Sequence, residues 1–397
     1  MYIMSRIIIK HVGPIKEVDI DLKKVNVFIG PQSSGKSTIA KIVSFCTWVE
    51  KNRHEMTYEI FLKSAISEME SFHRMKGYFG SNSKIFYQGD NIAFAYNYVQ
   101  GEPIPIDFQD GTYHEECSVD KEVYFHRIDR TINPKVCYMP AERNFVSVVP
   151  NLQKYDDERS NLQSYVVDWF NAKRHYSKSN PLPILNLGIS YFSESDIDYL
   201  VLPDGRNVLL SNASSGMQSL TPLVVMGEWL TSGIYETEKP LSIEEQDALQ
   251  VLLREGAKVQ DKKDVVAALA RLKSFIAGKV YSHSQFIIEE PEQNLYPSAQ
   301  CALMDYLFRI INHGKAHRLL MTTHSPYVLN YLNLLLRRGE ESSSQIKASD
   351  LNVFMLSEGR LQNLMMHNED GSMWAVDTKP HTEVMNDIYE EFMSLRK

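Results

Sequence analysis

One string constrains this chain more than any other: Gly30-Pro31-Gln32-Ser33-Ser34-Gly35-Lys36-Ser37, a complete G-x-x-x-x-G-K-[ST]. Val25 to Ile29 before it is an apolar run of strand length, and Ser37 to Val49 after it is apolar at helical spacing. Strand, glycine-rich turn and helix in that order describe a phosphate-binding loop. The glycines let the backbone curl so that N–H groups and the helix N-terminus face a polyanion. Lys36 would then contact β- and γ-phosphates and Ser37 would ligate Mg²⁺. By accident such a string arises in roughly one chain of this length in a hundred. The expected nucleotide contacts are Gly30, Pro31, Gln32, Ser33, Ser34, Gly35, Lys36, Ser37 and Thr38.

The rest of the chain supplies partners for that strand. Residues 7–22 read as two alternating strands around a Gly13-Pro14 turn, and Lys84 to Gly101 as antiparallel strands after a helix-like Glu59–Phe72. A strand is expected at Val136–Met139, a helix at Asn161–Tyr176, a hairpin around Asp204-Gly205 and a helix at 218–233. Two amphipathic helices are expected in 241–257 and 262–280. Buried strands at Gln285–Ile288 and Arg318–Thr322 alternate with helices at Ser298–Asn312 and Pro326–Leu336, and a strand pair and short helix close the chain. Strands alternating with helices predict an α/β core, with the middle of the chain as a helical insertion.

Two further segments bring reactive side chains to strand ends. Phe286-Ile287-Ile288-Glu289-Glu290 is an apolar strand ending in two carboxylates. Beside a phosphate loop, the first acid would belong to the Mg²⁺ shell and the second would polarise an attacking water. Alone, paired glutamates more often mark a solvated strand end. The next buried strand ends at Thr322-Thr323-His324-Ser325-Pro326, which puts His324 where a γ-phosphate could be sensed.

The succession resembles the Walker A, Walker B, D-loop and His-switch series of ABC-type ATPases, in the form found in the SMC, RecF and OLD lineage. The run Glu289-Glu290-Pro291-Glu292 through Leu295 to Pro297 is similar to that lineage, although Glu289 stands where aspartate is usual. The resemblance implies a P-loop ABC-ATPase head: an α/β mixed sheet flanked by helices, with an antiparallel β subdomain and helical insertions. It divides the chain into lobe I (1–150), a signature lobe (151–283) and a core with Walker B and His switch (284–397). It also implies catalytic roles for Lys36, Glu290 and His324, with Mg²⁺ held by Ser37 and Glu289. Ser214 to Gln218 aligns with the signature loop through Ser215, Gly216 and Gln218, which would face ATP on a second protomer. A head-to-head dimer or higher oligomer follows. Pro140-Ala141-Glu142-Arg143 is similar to a stretch common in OLD-like ATPases, and reads equally well as a strand terminator with solvated charges.

Composition narrows the biology. A net charge of −8 argues against a surface coated by nucleic acid, and 43% hydrophobic with 23% charged residues reads as globular. The four cysteines form no C-x-x-C pair, and no apolar stretch spans a bilayer, so a cytoplasmic protein without membrane contact is expected. Lys173-Arg174-His175-Tyr176-Ser177-Lys178 reads as a solvated helix end or as a DNA contact. Too few residues follow Glu358-Gly359 for the Toprim domain of OLD nucleases. The expected function is an ATP-hydrolysing switch whose dimerisation controls a separate effector, a nuclease or toxin, as in ATPase subunits of the Septu and PARIS anti-phage systems. The alternative is a RecF-like ATPase of DNA maintenance.

Overall fold

Apolar residues in period-2 runs put two strands at the start of the chain, β1 (Ser5–Val12) and β2 (Ile15–Leu22), paired antiparallel from Ser5↔Leu22 to Val12↔Ile15. The computed structural model describes residues 5–52, 68–90, 92–97, 123–127, 132–149, 151–155, 160–236, 281–341, 347–367 and 374–395. The expected helices at 241–257 and 262–280 lie outside the described residues. Of the expected helix at 59–72, only a wide turn at Glu68–Phe72 is described.

β3 (Val25–Ile29) is buried along its whole length, as its uninterrupted apolar sequence requires of a central strand. β4 (Phe79–Gln88), β5 (Ile92–Asn97) and β6 (Val123–Arg127) extend the β1 edge as an antiparallel meander. β7 (Pro134–Met139) lies at the far edge of the same sheet. Four short strands, β8 (Leu182–Ile184), β9 (Ile189–Glu194), β10 (Ile197–Val201) and β11 (Asn207–Leu209), form a separate antiparallel sheet around the expected Asp204-Gly205 turn. The middle of the chain is therefore sheet as well as helix. β12 (His283–Glu289), β13 (Arg318–Thr323) and β14 (Leu351–Ser357) return to the main sheet, followed by β15 (Arg360–Asn363) and the pair β16 (Met365–His367) and β17 (Trp374–Val376).

Among the described residues the main sheet has eleven strands in the order β6-β5-β4-β1-β2-β15-β14-β3-β13-β12-β7. Its centre is parallel. β3 pairs with β13 and β14, β12 with β13 and β7, and the registers place Ile29 beside Thr323, Glu289 beside Thr322 and Ile288 beside Met139. All five parallel strands thus end along one edge. In such sheets, ligands bind outside the carboxyl ends of the strands.

Helices cover both faces. α1 (Lys36–Lys51) buries Ile39, Ile42, Val43, Cys46 and Val49, a stripe at helical spacing, against Phe28, Ile287 and Leu320. The opposite face, with Val27, Ile288 and Met321, packs under α2 (Asn161–Lys173), α3 (Ser215–Glu228), α4 (Pro297–Ile311) and α5 (Pro326–Glu341). α6 (Lys379–Ser394) closes the chain, longer than its sequence suggested. This is the expected α/β architecture: a mixed sheet flanked by helices, with an antiparallel part. Among the described residues, no helix is long and apolar enough to cross a membrane.

Candidate functional site

The loop between β3 and α1 has the backbone its glycines allow. Gly30 takes φ 153 and Gly35 φ 108, and Ser33 between them also has a positive φ of 59. A Cβ at Gly30 would lie 2.2 Å from the Leu356 carbonyl oxygen, so no other residue fits beneath β14. Pro31, Gln32, Ser33 and Ser37 are exposed at the mouth, Ser34 is half-buried, and Thr38 is buried inside α1. Lys36 is buried, and its ammonium donates to the carbonyls of Gly30 (2.9 Å) and Pro31 (2.7 Å) and to Ser34 Oγ (3.4 Å). Burial pulls this lysine below its ordinary pKa, while Glu290, Glu292 and Glu289 pull it back up. Those three acids are therefore electrostatic neighbours of the loop.

They arrive there through β12. Glu289, the last residue of the strand, is buried and accepts a short hydrogen bond from the Tyr138 hydroxyl at the end of β7. Burial, then the Glu289 charge, pushes that phenol well above its usual pKa, which keeps it a donor. Glu290 turns out of the sheet with φ 43, a conformation that side-chain-bearing residues rarely adopt, and its N–H donates to the Thr322 carbonyl at 2.9 Å. Its carboxylate is partly exposed and lies 3.4 Å from His324 Nε2. Glu292 is buried two residues later, where one oxygen accepts from Thr323 Oγ1 (2.7 Å) and from the His324 N–H (2.8 Å). The peptide that carries His324 is clamped by that carboxylate. Sequence reading assigned Glu292 no role, because nothing local marks a contact with β13.

The largest omission is Arg143. Sequence reading left it between a family stretch and a solvated charge, yet it is fully buried. Its Nε donates to the Ser219 carbonyl in α3 at 3.1 Å. Its terminal nitrogens donate to the carbonyls of Glu289 (2.8 Å), Glu290 (2.7 Å) and Pro291 (3.0 Å). Burial lowers its pKa, and neighbouring charges including Glu292, Glu290 and Glu289 work against that shift. An arginine keeps its charge under such conditions.

The segment Ser214–Gln218 opens α3. Ser214 caps α3 by accepting from the Met217 N–H (3.5 Å), and Ser214 and Ser215 are exposed. Gly216 faces the turn after β12, where a Cβ would come within 2.8 Å of the Asn294 carbonyl oxygen. Gln218 folds its side-chain amide onto the Ser211 carbonyl at 2.9 Å. The structure thus brings Gly30–Thr38, Glu289, Glu290 and His324 to one edge. The helix that begins with Ser215, Gly216 and Gln218 is tied to that edge at Gly216, which faces the Asn294 carbonyl, and at Ser219, which meets Arg143 and Asn294.

The basic cluster is not a uniform solvated end. Lys173 is buried and bonds the Asp196 carbonyl (2.9 Å) and the Asp198 carboxylate (3.3 Å), with its ammonium 4.9 Å from the Phe170 ring centre. It anchors α2 to the small sheet.

Ser37 and Glu289 offer a hydroxyl and a carboxylate, hard oxygen donors of the kind Mg²⁺ takes alongside phosphate and water. The donor set fits that ion.

Residues 270–329, which span β12, α4, β13 and the start of α5, match the family described as AAA ATPase domain. No curated protein matches the chain. Solved structures similar to this chain include the SMC head domain from Thermotoga maritima, at 12% identity and a TM-score of 0.39, covering 91% of this chain and 98% of that one. They also include the Smc head domain from Pyrococcus furiosus bound to the C-terminal domain of ScpA (9% identity, TM-score 0.40, 99% and 100% covered). The recombination mediator protein RecF is a third, at 8% identity and a TM-score of 0.33, with 91% and 98% covered.

Proposed function

We propose that this chain is an ATP-hydrolysing switch that works as a dimer. The observation that carries the reading is the Glu290–His324 contact of 3.4 Å on the sheet edge where the Lys36 loop opens. The Gly30–Thr38 loop holds the triphosphate, with Lys36 leaving its loop carbonyls for β- and γ-phosphate oxygens. Ser37 and Glu289 would hold Mg²⁺, which would supply charge neutralisation of the phosphates. Glu290 takes the proton of the attacking water, and His324 contacts the γ-phosphate and orients that carboxylate. The match of residues 270–329 to an ATPase domain supports the same chemistry.

The exposed N-terminus of α3 is the surface a second copy would use, with Ser215, Gly216 and Gln218 set against the nucleotide of the opposite protomer. Hydrolysis then reopens the pair and signals to a separate effector, a nuclease or toxin of an anti-phage system in the cytoplasm. α6 supports a protein partner, since it exposes Met385, Ile388, Tyr389 and Phe392 on one helical stripe. The competing DNA-maintenance reading loses one candidate contact, because Lys173 is engaged with Asp196 and Asp198, while Arg174 and Lys178 of the same cluster are exposed.

Glu290→Gln tests the chemistry. Turnover should fall about 10²- to 10⁴-fold, with ATP retained and dimers accumulating in native mass spectrometry. Parent-rate hydrolysis would remove Glu290 from its role. Phage challenge of a Lys36→Ala host tests the output, and unchanged plaque counts in a deletion strain would exclude defence.

A further inference from the structure

We propose that Arg143 is the positioning residue that couples the two composite sites of the dimer, joining the hydrolytic turn of one site to the helix that serves the other. The inference rests on the switch reading above and adds to it a route between sites.

Three carbonyl oxygens, of Glu289, Glu290 and Pro291, converge on the guanidinium because the chain reverses at Glu290. Without a cation those dipoles would repel one another inside a buried turn. The positive φ of Glu290 is held on two sides: its N–H bonds Thr322 and its carbonyl bonds Arg143. The direction of the Glu290 carboxylate toward His324 is therefore set by backbone that Arg143 holds. The same guanidinium reaches Ser219 in the second turn of α3, four residues after Ser215. A second link runs alongside it, from Asn294 Nδ2 to Ser219 Oγ at 3.1 Å. When a second protomer's nucleotide engages the exposed start of α3, any shift of that helix acts on Ser219, and through Arg143 on Glu290. Nothing in this route passes through the Lys36 loop. Loss of the link should thus spare nucleotide binding and strike hydrolysis and cooperativity. Lysine cannot replace the link, because an ammonium is a point charge without the planar fork that spans four carbonyls.

The test uses the full chain as parent, Arg143→Lys and Asn294→Ala. The measurements are thermal midpoint, affinity for a fluorescent ATP analogue with Mg²⁺, and turnover against ATP concentration. In the parent, turnover should rise cooperatively with ATP. Arg143→Lys should keep the parent's nucleotide affinity, lose about a hundredfold in kcat and lose cooperativity. Asn294→Ala should move the same way by about tenfold. A folded Arg143→Lys protein with parental kcat and cooperativity overturns the inference. So does one whose affinity, kcat and thermal midpoint fall together, since that is packing alone. Should Arg143→Lys fail to fold, Asn294→Ala decides, and parental turnover there overturns the coupling. A parent that binds no nucleotide overturns the switch reading and the coupling with it, whereas an active parent matched by Arg143→Lys overturns the coupling only.

Discussion

The five parallel strands carry titratable side chains at both ends, and the two ends treat them differently. At the carboxyl end, Lys36, Glu289, Glu290, Glu292 and His324 lie together, with Glu290 and His324 partly exposed and the backbone in left-handed conformation at Ser33, Glu290 and Asn294. At the amino end, Arg318 meets the buried Asp90 at 2.7 Å, Tyr87 donates to Glu50 at 2.9 Å, and His317 Nδ1 accepts the Ser284 N–H at 3.0 Å. None of these amino-end residues has a positive φ. Polar residues in number do not mark a site. At this sheet the two ends differ in strain and access taken together, since positive φ alone also occurs at turns such as Leu185 and Asp196.

The largest way to break this contrast is Lys36→Ala. If the carboxyl edge is the reactive one, ATP turnover should fall about a thousandfold, the scale for losing one preorganised charge at a transferring group. Steady-state phosphate release measures it. Turnover near the parent's level would move the chemistry away from the β3 loop and leave the two ends equivalent.

How much of this was legible in the sequence follows from the range of each contact. The phosphate loop, the Glu289-Glu290 strand end and His324 are read from consecutive residues, since an apolar run and the residue that ends it are neighbours in the chain. The antiparallel strands expected over Lys84–Gly101 were legible for the same reason, although β4 begins earlier, at Phe79, and β5 ends at Asn97. Arg143 and Tyr138 were not. Arg143 meets Glu289 across 146 positions and Ser219 across 76, and Tyr138 meets Glu289 across 151. No local pattern encodes such pairings, and a charged residue is exposed more often than buried. Lys173 misleads similarly, because its acids sit on the β9–β10 turn and on β10.

A smaller effect is expected at the amino end. Arg318→Met leaves the Asp90 carboxylate buried without its cation, which should cost about 2–3 kcal/mol of stability, part of the usual penalty being relieved because Arg318 itself is partly exposed. Urea unfolding gives the loss directly. ATP turnover below the melting range should stay at the parent's level. A variant with reduced kcat and intact stability would put the amino end into the site and erase the distinction.

The smallest effect sharpens the contrast through pH. Burial first, then the charges of Arg318 and His317, hold His283 down to about 3. Burial likewise holds His317 at about 4, with Lys24, His313 and Lys315 adding to it and a hydrogen bond to the His313 carbonyl opposing. An unfolded histidine titrates near 6.5. Between that value and the folded ones, the unfolded chain binds protons that the folded chain refuses, so stability is complete above pH 6.5 and declines as pH falls toward 4 and then 3. Urea midpoints at pH 7, 6 and 5 should therefore decrease stepwise, and a His283→Asn, His317→Asn protein should show a shallower decline. Arg318→Met makes the same point from the other side. Removing that cation lets the folded His283 protonate more readily, so the slope should flatten even as total stability drops. A parent whose midpoint is level from pH 7 to 5 would mean that both imidazoles reach water, and the amino end would then be as open as the edge that carries Glu290.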